Sequence, residues 1–310
     1  MPEIVAHHFF GMKVLQDLPQ DIRKRIDPEL FRTGVRGPDP LGIVRFWCPP
    51  IWRKLHGRSS EMHNLHSGAF FERLSREARA QAGELQTQLF SYECGFLTHY
   101  FLDSVCHPYV IYRTGLGEAY TGNHRSLEHA MDRLALARNG LTLRNRPISR
   151  LILPEKGLPR TMKRAIDAVY AETFGWTDAW KQINHALKDE RRFVRLIEDP
   201  AGWLARFTKG GTPGSLSYAE NAYTNADIEN EQHQEWRNPY EPAMTSDKSF
   251  GELTELAGAQ AKQAICDLYA FILGEAPYPV SIGNRSYESG LDTTDPRNKR
   301  DPRFEVLQRL

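Results

Sequence analysis

The chain is most informative first in what it lacks. It has no apolar run near the ~18 residues that a membrane-spanning helix needs, so a membrane span is not expected. Its first residues, MPEIVAHHFFG, carry no basic start followed by an apolar stretch, so a secretion signal is not expected either. Cysteine is scarce: Cys48, Cys94, Cys106 and Cys266 are scattered, with no Cys-x-x-Cys pair. That excludes a disulfide scaffold and points to reduced thiols and a cytoplasmic location. No charge sign dominates, since Lys+Arg is 40 against Asp+Glu 39. A general nucleic-acid binder carries a basic field, so none is expected here. Alternating β-branched runs bounded by turns are nearly absent, which argues against a sheet protein.

What the chain does have is a globular composition, 40% apolar and 25% charged over 310 residues, enough to bury a large core. Helical periodicity recurs. Ser67 to Gln81 sets Phe70, Phe71, Leu74 and Ala78 on one face, and the longest periodic stretch runs from Gln81 to Val110. Asn123 is placed to cap a helix ending at Gly140. Pro159 to Phe174 reads as a helix stopped by Gly175, and Thr177 as the cap of the next. Pro200 reads as the first residue of a short helix ended by Gly210 and Gly211. Ser249 to Leu273 is amphipathic and closed by Gly274. Three stretches read as irregular: 34–60 and 210–249, from their Gly, Pro and Asn content, and a mobile tail at 277–310. The expected fold is all-α, a multi-helix single domain over 1–276 with a metal cluster between helices and long irregular loops. Residues 144–211 read as a helical insertion.

Histidine supplies the first chemical signal. Nine of the 11 histidines precede residue 130, leaving His185 and His233. His99, Asp103 and His107 recur at four-residue steps in an otherwise apolar segment. Positions i and i+4 share a helix face, and burying three ionisable groups there is costly unless something pairs with them. A divalent metal would. Pro108 disfavours helix at His107, so His107 is expected at the helix end, pointing away from the His99–Asp103 pair. His124 and Glu128 form a second i, i+4 pair. Such imidazole and carboxylate donors suit Zn²⁺ best, with Mn²⁺ or Fe²⁺ also fitting. Taken singly, a His-x-x-x-Asp is ordinarily a surface pair, and Gly37-Pro38-Asp39 is ordinarily a turn. Phe9, Phe10, Phe46, Trp47 and Trp52 are ordinarily core residues, with pocket lining as their alternative role. Trp236, in a polar stretch, is the stronger candidate for a pocket.

Together the motifs resemble the bacterial zinc-dependent phospholipase C family, an all-α fold shared with fungal single-strand nucleases. The matching residues are His7-x-x-Phe10-Gly11, Gly37-Pro38-Asp39, Met62-His63, His99-x-x-x-Asp103, His107-Pro108 and His124-x-x-x-Glu128. A weaker match is Asn230-x-x-His233-x-x-Trp236-x-x-Pro239. The resemblance implies that His63, with His66 as the alternative, joins His99 and Asp103 around one zinc. His107, His124 and Glu128 would hold a second, more open one. His7 and the other oxygen of Asp103 would hold a third. Asp39 would orient or deprotonate the attacking water, and the substrate would be a small phosphoester or a phospholipid head group. Two departures are visible. The chain opens Met-Pro-Glu, where the secreted enzymes carry a metal-binding tryptophan, and fewer residues separate Asp103 from His107. The alternative reading is a metal-binding scaffold of the same fold without turnover. An HD-type phosphohydrolase needs a His-Asp dipeptide, and a ferritin-like di-iron bundle needs paired Glu-x-x-His; the sequence has neither.

Overall fold

The computed structural model describes residues 4–142, 147–198, 203 and 226–307. Its helices are α1 (Ile4–Asp17), α2 (Gln20–Arg23), α3 (Pro28–Val35), α4 (Pro49–Leu55), α5 (Gly57–Asn64), α6 (Ser67–Ala80) and α7 (Gly83–Thr114). They continue with α8 (Thr121–Arg138), α9 (Ile148–Leu151), α10 (Lys163–Phe174), α11 (Ala179–Ile197) and α12 (Phe250–Leu273). The fold is all-α, as the periodicity predicts, and among the described residues there is one antiparallel hairpin, β1 (Trp236–Asn238) and β2 (Glu241–Ser246).

The axis of the fold is α7, buried along most of its length and packed by α3, α6 and α12. Two glycines set the α3–α7 crossing. A Cβ on Gly34 would collide with the Tyr92 carbonyl, and one on Gly95 with the Phe31 carbonyl. Helices that approach this closely lock in register, and this places the turn after α3 directly over the His99 ring. Aromatic rings from Phe70, Phe71, Phe96 and Tyr100 fill the core beside α7.

Pro108 does not end the helix. It lies inside α7, six residues before the helix ends at Thr114. Its ring removes the donor for the Ser104 carbonyl, and that carbonyl packs instead against Gly290, where a Cβ would come within 2.5 Å. Burial on all sides outweighs a local penalty of about 3 kcal/mol. The expected helix end at His107 is therefore corrected.

Other boundaries shift for local reasons. α8 begins at Thr121, so Asn123 lies inside it rather than capping it. Asp178, left-handed at φ 58°, precedes α11 in place of Thr177. Ser249 caps α12 through a full capping box with Glu252, and Gly274 ends it in the left-handed conformation. The stretch 34–60 is mostly helical, because Pro40 and Pro49 begin helical turns rather than breaking them. The hairpin lies within the stretch read as irregular at 210–249. Of the helix expected to start at Pro200, only Trp203 lies among the described residues, and it is helical.

The stretch expected to be a mobile tail packs back onto the helices. Ile282, Tyr287 and Leu291 are buried, and the Tyr287 backbone N–H donates to the His63 carbonyl at 2.8 Å. Helices α10 and α11, from the expected insertion, contribute Ile166, Tyr170 and Ile183 to the same core as α7. Among the described residues, no helix is long and apolar enough to cross a membrane.

Candidate metal centre

Four elements carry buried polar groups to one point. α1 brings His7, the 3-10 turn Asp39–Ile43 brings Asp39, α5 brings His63, and α7 brings His99 and Asp103. Each is held from behind. The Val5 and Ala6 N–H groups, in the open first turn of α1, donate to the Asp132 carboxylate at 3.1 and 2.8 Å, which fixes the helix end bearing His7. Gly11 lets α1 lie against Val35 and Thr98. Gly37, at φ 51°, turns the chain where a Cβ would strike the His99 ring, and Asp39 follows two residues later.

Asp103 is the centre. Its Oδ1 lies 3.2 Å from His7 Nε2, and its Oδ2 lies 3.1 Å from His99 Nε2 and 3.7 Å from His63 Nε2. Asp39 Oδ1 stands 3.2 Å from His63 Nε2 and 3.6 Å from His99 Nε2. Tautomers follow from the other ring nitrogens. His63 Nδ1 meets the Ser59 carbonyl at 2.7 Å, and His99 Nδ1 meets the Val35 carbonyl at 3.1 Å. A carbonyl only accepts, so both Nδ1 atoms carry hydrogen. In the neutral rings the Nε2 lone pairs then face carboxylate oxygens. These Nε2 atoms, Asp39 Oδ1 and both Asp103 oxygens are buried without a hydrogen-bond partner. Acceptors converging on acceptors in a dry site call for a cation, and backbone carbonyls orienting the rings are the usual support of a histidine–metal site.

Charge follows the same geometry. Burial alone would raise the Asp103 carboxyl, but the facing His99 and His7 imidazoles hold it well below the ordinary carboxylate range. Asp39 is likewise held low against burial, by His99 and His63. Burial, with His99 alongside, pushes His7 down to about 4. For His63 burial opposes protonation, yet the negative charges of the facing Asp39 and Asp103 carboxylates raise it.

A second cluster lies further along α7. His107 Nε2 is 3.2 Å from His124 Nε2, and His124 Nε2 is 2.9 Å from Glu128 Oε1. The Thr114 hydroxyl donates to the Val110 carbonyl at 2.7 Å and takes the hydrogen of His124 Nδ1 at 3.1 Å, which again leaves Nε2 facing the cluster. Burial keeps His107 well below its ordinary pKa. Asp39, His107, His124 and Glu128 all line one cleft of about 330 Å³.

All eight residues singled out from sequence thus fall into two groups beside one cleft. His63 belongs to the first group, while His66 is exposed on its left-handed cap. Other candidates stand elsewhere. Trp236 is core, packed on Tyr109 and donating to the Lys248 carbonyl, which corrects its expected place in a pocket. His233 is exposed. Phe10 is buried in the core, Trp52 donates to the Gly42 carbonyl, and Trp47 is surface-exposed over Arg45 and Arg192. None of these aromatics lines the cleft. Sequence reasoning missed Arg36 and Glu190, which form a buried ion pair in the cleft wall, with Arg36 Nη2 2.7 Å from Glu190 Oε1 and 3.9 Å from Asp39 Oδ2. The one available signal was that Arg36 immediately precedes Gly37-Pro38-Asp39.

Fold and site together define an all-α protein with two histidine–carboxylate clusters suited to divalent metal. The family model described as zinc dependent phospholipase C matches residues 6–189, and the chain belongs to that family. No curated protein and no solved structure matches it.

Proposed function

We propose that this chain is a zinc-dependent hydrolase of phosphoric esters, acting on a phosphodiester or a phosphomonoester. The observation that supports this most is the convergence of both clusters and Asp39 on one cleft. His63, His99 and Asp103 would hold one ion, and His107, His124 and Glu128 a second. His7 and the Oδ1 side of Asp103 would hold a third. Zinc is the proposed metal, with Mn²⁺ or Fe²⁺ accepted by the same donors.

Bound there, zinc supplies Lewis acidity and positive charge for the phosphoryl oxygens. The chain's own groups do the rest. Asp39, held ionised, accepts a hydrogen bond from the attacking water and orients it toward phosphorus. Arg36, paired with Glu190 in the cleft wall, lies 3.9 Å from the second oxygen of Asp39 and offers a guanidinium edge to an anionic ester. Ile43, Leu116 and Val194 line the same cleft and keep part of it dry, which strengthens these charges. A phospholipid head group and a small soluble phosphoester are both of suitable charge. The free thiols Cys48, Cys94, Cys106 and Cys266 support a cytoplasmic setting.

One observation favours a second reading. Asp39 stands within ligand distance of the first cluster, so that site could close with four protein ligands, as structural zinc sites do. A metal-stabilised scaffold would then bind zinc without turnover. Elemental analysis together with chromogenic phosphodiesters and phosphomonoesters decides between them. The hydrolase reading expects about two or more zinc ions per chain, activity lost to chelator and activity restored by zinc. Full zinc content with no hydrolysis of either ester class supports the scaffold. Less than one ion per chain after reconstitution overturns both.

A further inference from the structure

A second groove lies on a different face of α11 from the one that lines the cleft. It runs between α11 and the loop at 154–157 and encloses about 250 Å³. Asn184, Lys188, Arg191 and Arg195 recur along the helix at three- and four-residue steps, so they form one stripe. Lys156 lines the groove from the opposite loop. Gly157 allows the loop to lie this close, since a Cβ there would collide with the Asn184 side-chain oxygen. A solvated helix face ordinarily interleaves both signs. Here Lys156, Lys188, Arg191 and Arg195 make no ion pair among the described residues, and the groove holds one carboxylate, Glu155. The Nε of Arg191 is buried without a hydrogen-bond partner.

We propose that this groove binds a compact anion carrying two or more phosphate groups. Guanidinium forks match phosphate oxygens in pairs, and lysine ammonium groups add point charge without demanding one geometry. Four cations in a space this small raise the local concentration of a multiply charged anion far above that of a singly charged one. Neutral phosphoesters would gain nothing there. The site is separate from the cleft and does not depend on the hydrolase reading.

The test is a site-resolved footprint on the zinc-loaded protein. Amine acetylation is mapped by mass spectrometry, with fructose 1,6-bisphosphate as the soluble probe. A parallel arm uses phosphatidylcholine vesicles with and without phosphatidylinositol 4,5-bisphosphate. Lys156 and Lys188 are expected to react about tenfold more slowly in the presence of the soluble bisphosphate, the bisphosphate-lipid vesicles, or both, while Lys13 and Lys163 are unchanged. Protection by the soluble probe alone assigns a free phosphorylated metabolite, and stronger protection by the bisphosphate-lipid vesicles assigns a lipid head group. Arg191→Gln/Arg195→Gln, two changes within the groove, should cut the protection to less than about twofold. Asp39→Asn, in the cleft, should leave it intact. No protection in either arm, equal protection of Lys13 and Lys163, or protection that survives Arg191→Gln/Arg195→Gln overturns the proposal.

Discussion

His7 and His99 stack on opposite oxygens of Asp103, their ring centroids 4.0 Å apart and their planes within 14°. Two imidazoles facing the two oxygens of one carboxylate is the arrangement of a bridging ligand. The first prediction concerns that bridge. Asp103→Asn should release the two ions that share it, because close approach of two dications needs the carboxylate charge between them. Glu128→Gln, at the terminal second cluster, should release one. Native mass spectrometry of both variants beside the unaltered protein reads the counts. Loss of one ion from each makes Asp103 terminal and removes the third site. Full retention by Asp103→Asn reduces the cluster to a structural His–Asp network.

Asp39 belongs geometrically to the first cluster and to the cleft, and its substitution separates these roles. As the group that orients water, Asp39→Asn should keep zinc content and folding while lowering hydrolysis by about 10²–10⁴-fold. As a fourth ligand it should lose an ion and stability together. Metal content and initial rates on the same preparation decide. An unchanged rate at full metal content refutes the catalytic assignment.

The legible part of this site is the local part. His99–Asp103 and His124–Glu128 are visible because helical spacing alone brings i and i+4 together. The meeting of Asp39 with His63 and His99 is not local. It depends on the Gly34–Gly95 crossing and the left-handed Gly37, which no pattern within a short window reveals; only the family resemblance supplied it. Arg36 and Glu190, 154 residues apart, carried no signal. Periodicity located α6, α7 and α12 because their apolar faces are broad. It failed at 34–60, where proline marks helix starts as readily as loops. It failed again at Pro108, where burial of the whole helix overrides a local break. The hairpin was missed because its turn, Pro239–Tyr240, lacks the Asn-Gly or Asp-Gly signature.

A pH prediction follows from Glu93, buried in α7 and accepting a hydrogen bond from the Ser75 hydroxyl. Burial raises its carboxyl to about 8. Folded, it holds a proton at neutral pH; unfolded, it ionises near the ordinary value. The unfolded chain therefore binds fewer protons between these limits, and stability falls as pH rises from about 4.5 to about 8. The loss is about 1.4 kcal/mol per pH unit within that window. Glu93→Gln keeps the shape without the titration. Urea unfolding at pH 5.5 and pH 8, in saturating zinc, should show the variant gaining about 3 kcal/mol on the parent between the two. Parallel pH profiles would mean that Glu93 is ionised in the folded state or that water reaches it.

The last prediction isolates the turn that carries Asp39. Gly37 sits at φ 51°, and a Cβ there would collide with the His99 ring. The ring cannot swing aside freely, because its Nδ1 is tied to the Val35 carbonyl and its other face stacks on His7. Gly37→Ala should therefore cost about 1–2 kcal/mol for the left-handed backbone and also displace His99 from the first cluster. The expected outcome is a lower melting temperature with loss of the ions at the first cluster, while the ion at His107, His124 and Glu128 stays. Gly57→Ala is the control, since its Cβ meets nothing within 4 Å and its backbone is not left-handed. It should keep every ion and full stability. Native mass spectrometry and thermal unfolding of both variants check this. Full metal content in Gly37→Ala would show that the turn yields to the ring, and the close fit of Gly37 on His99 would then have no part in holding the site.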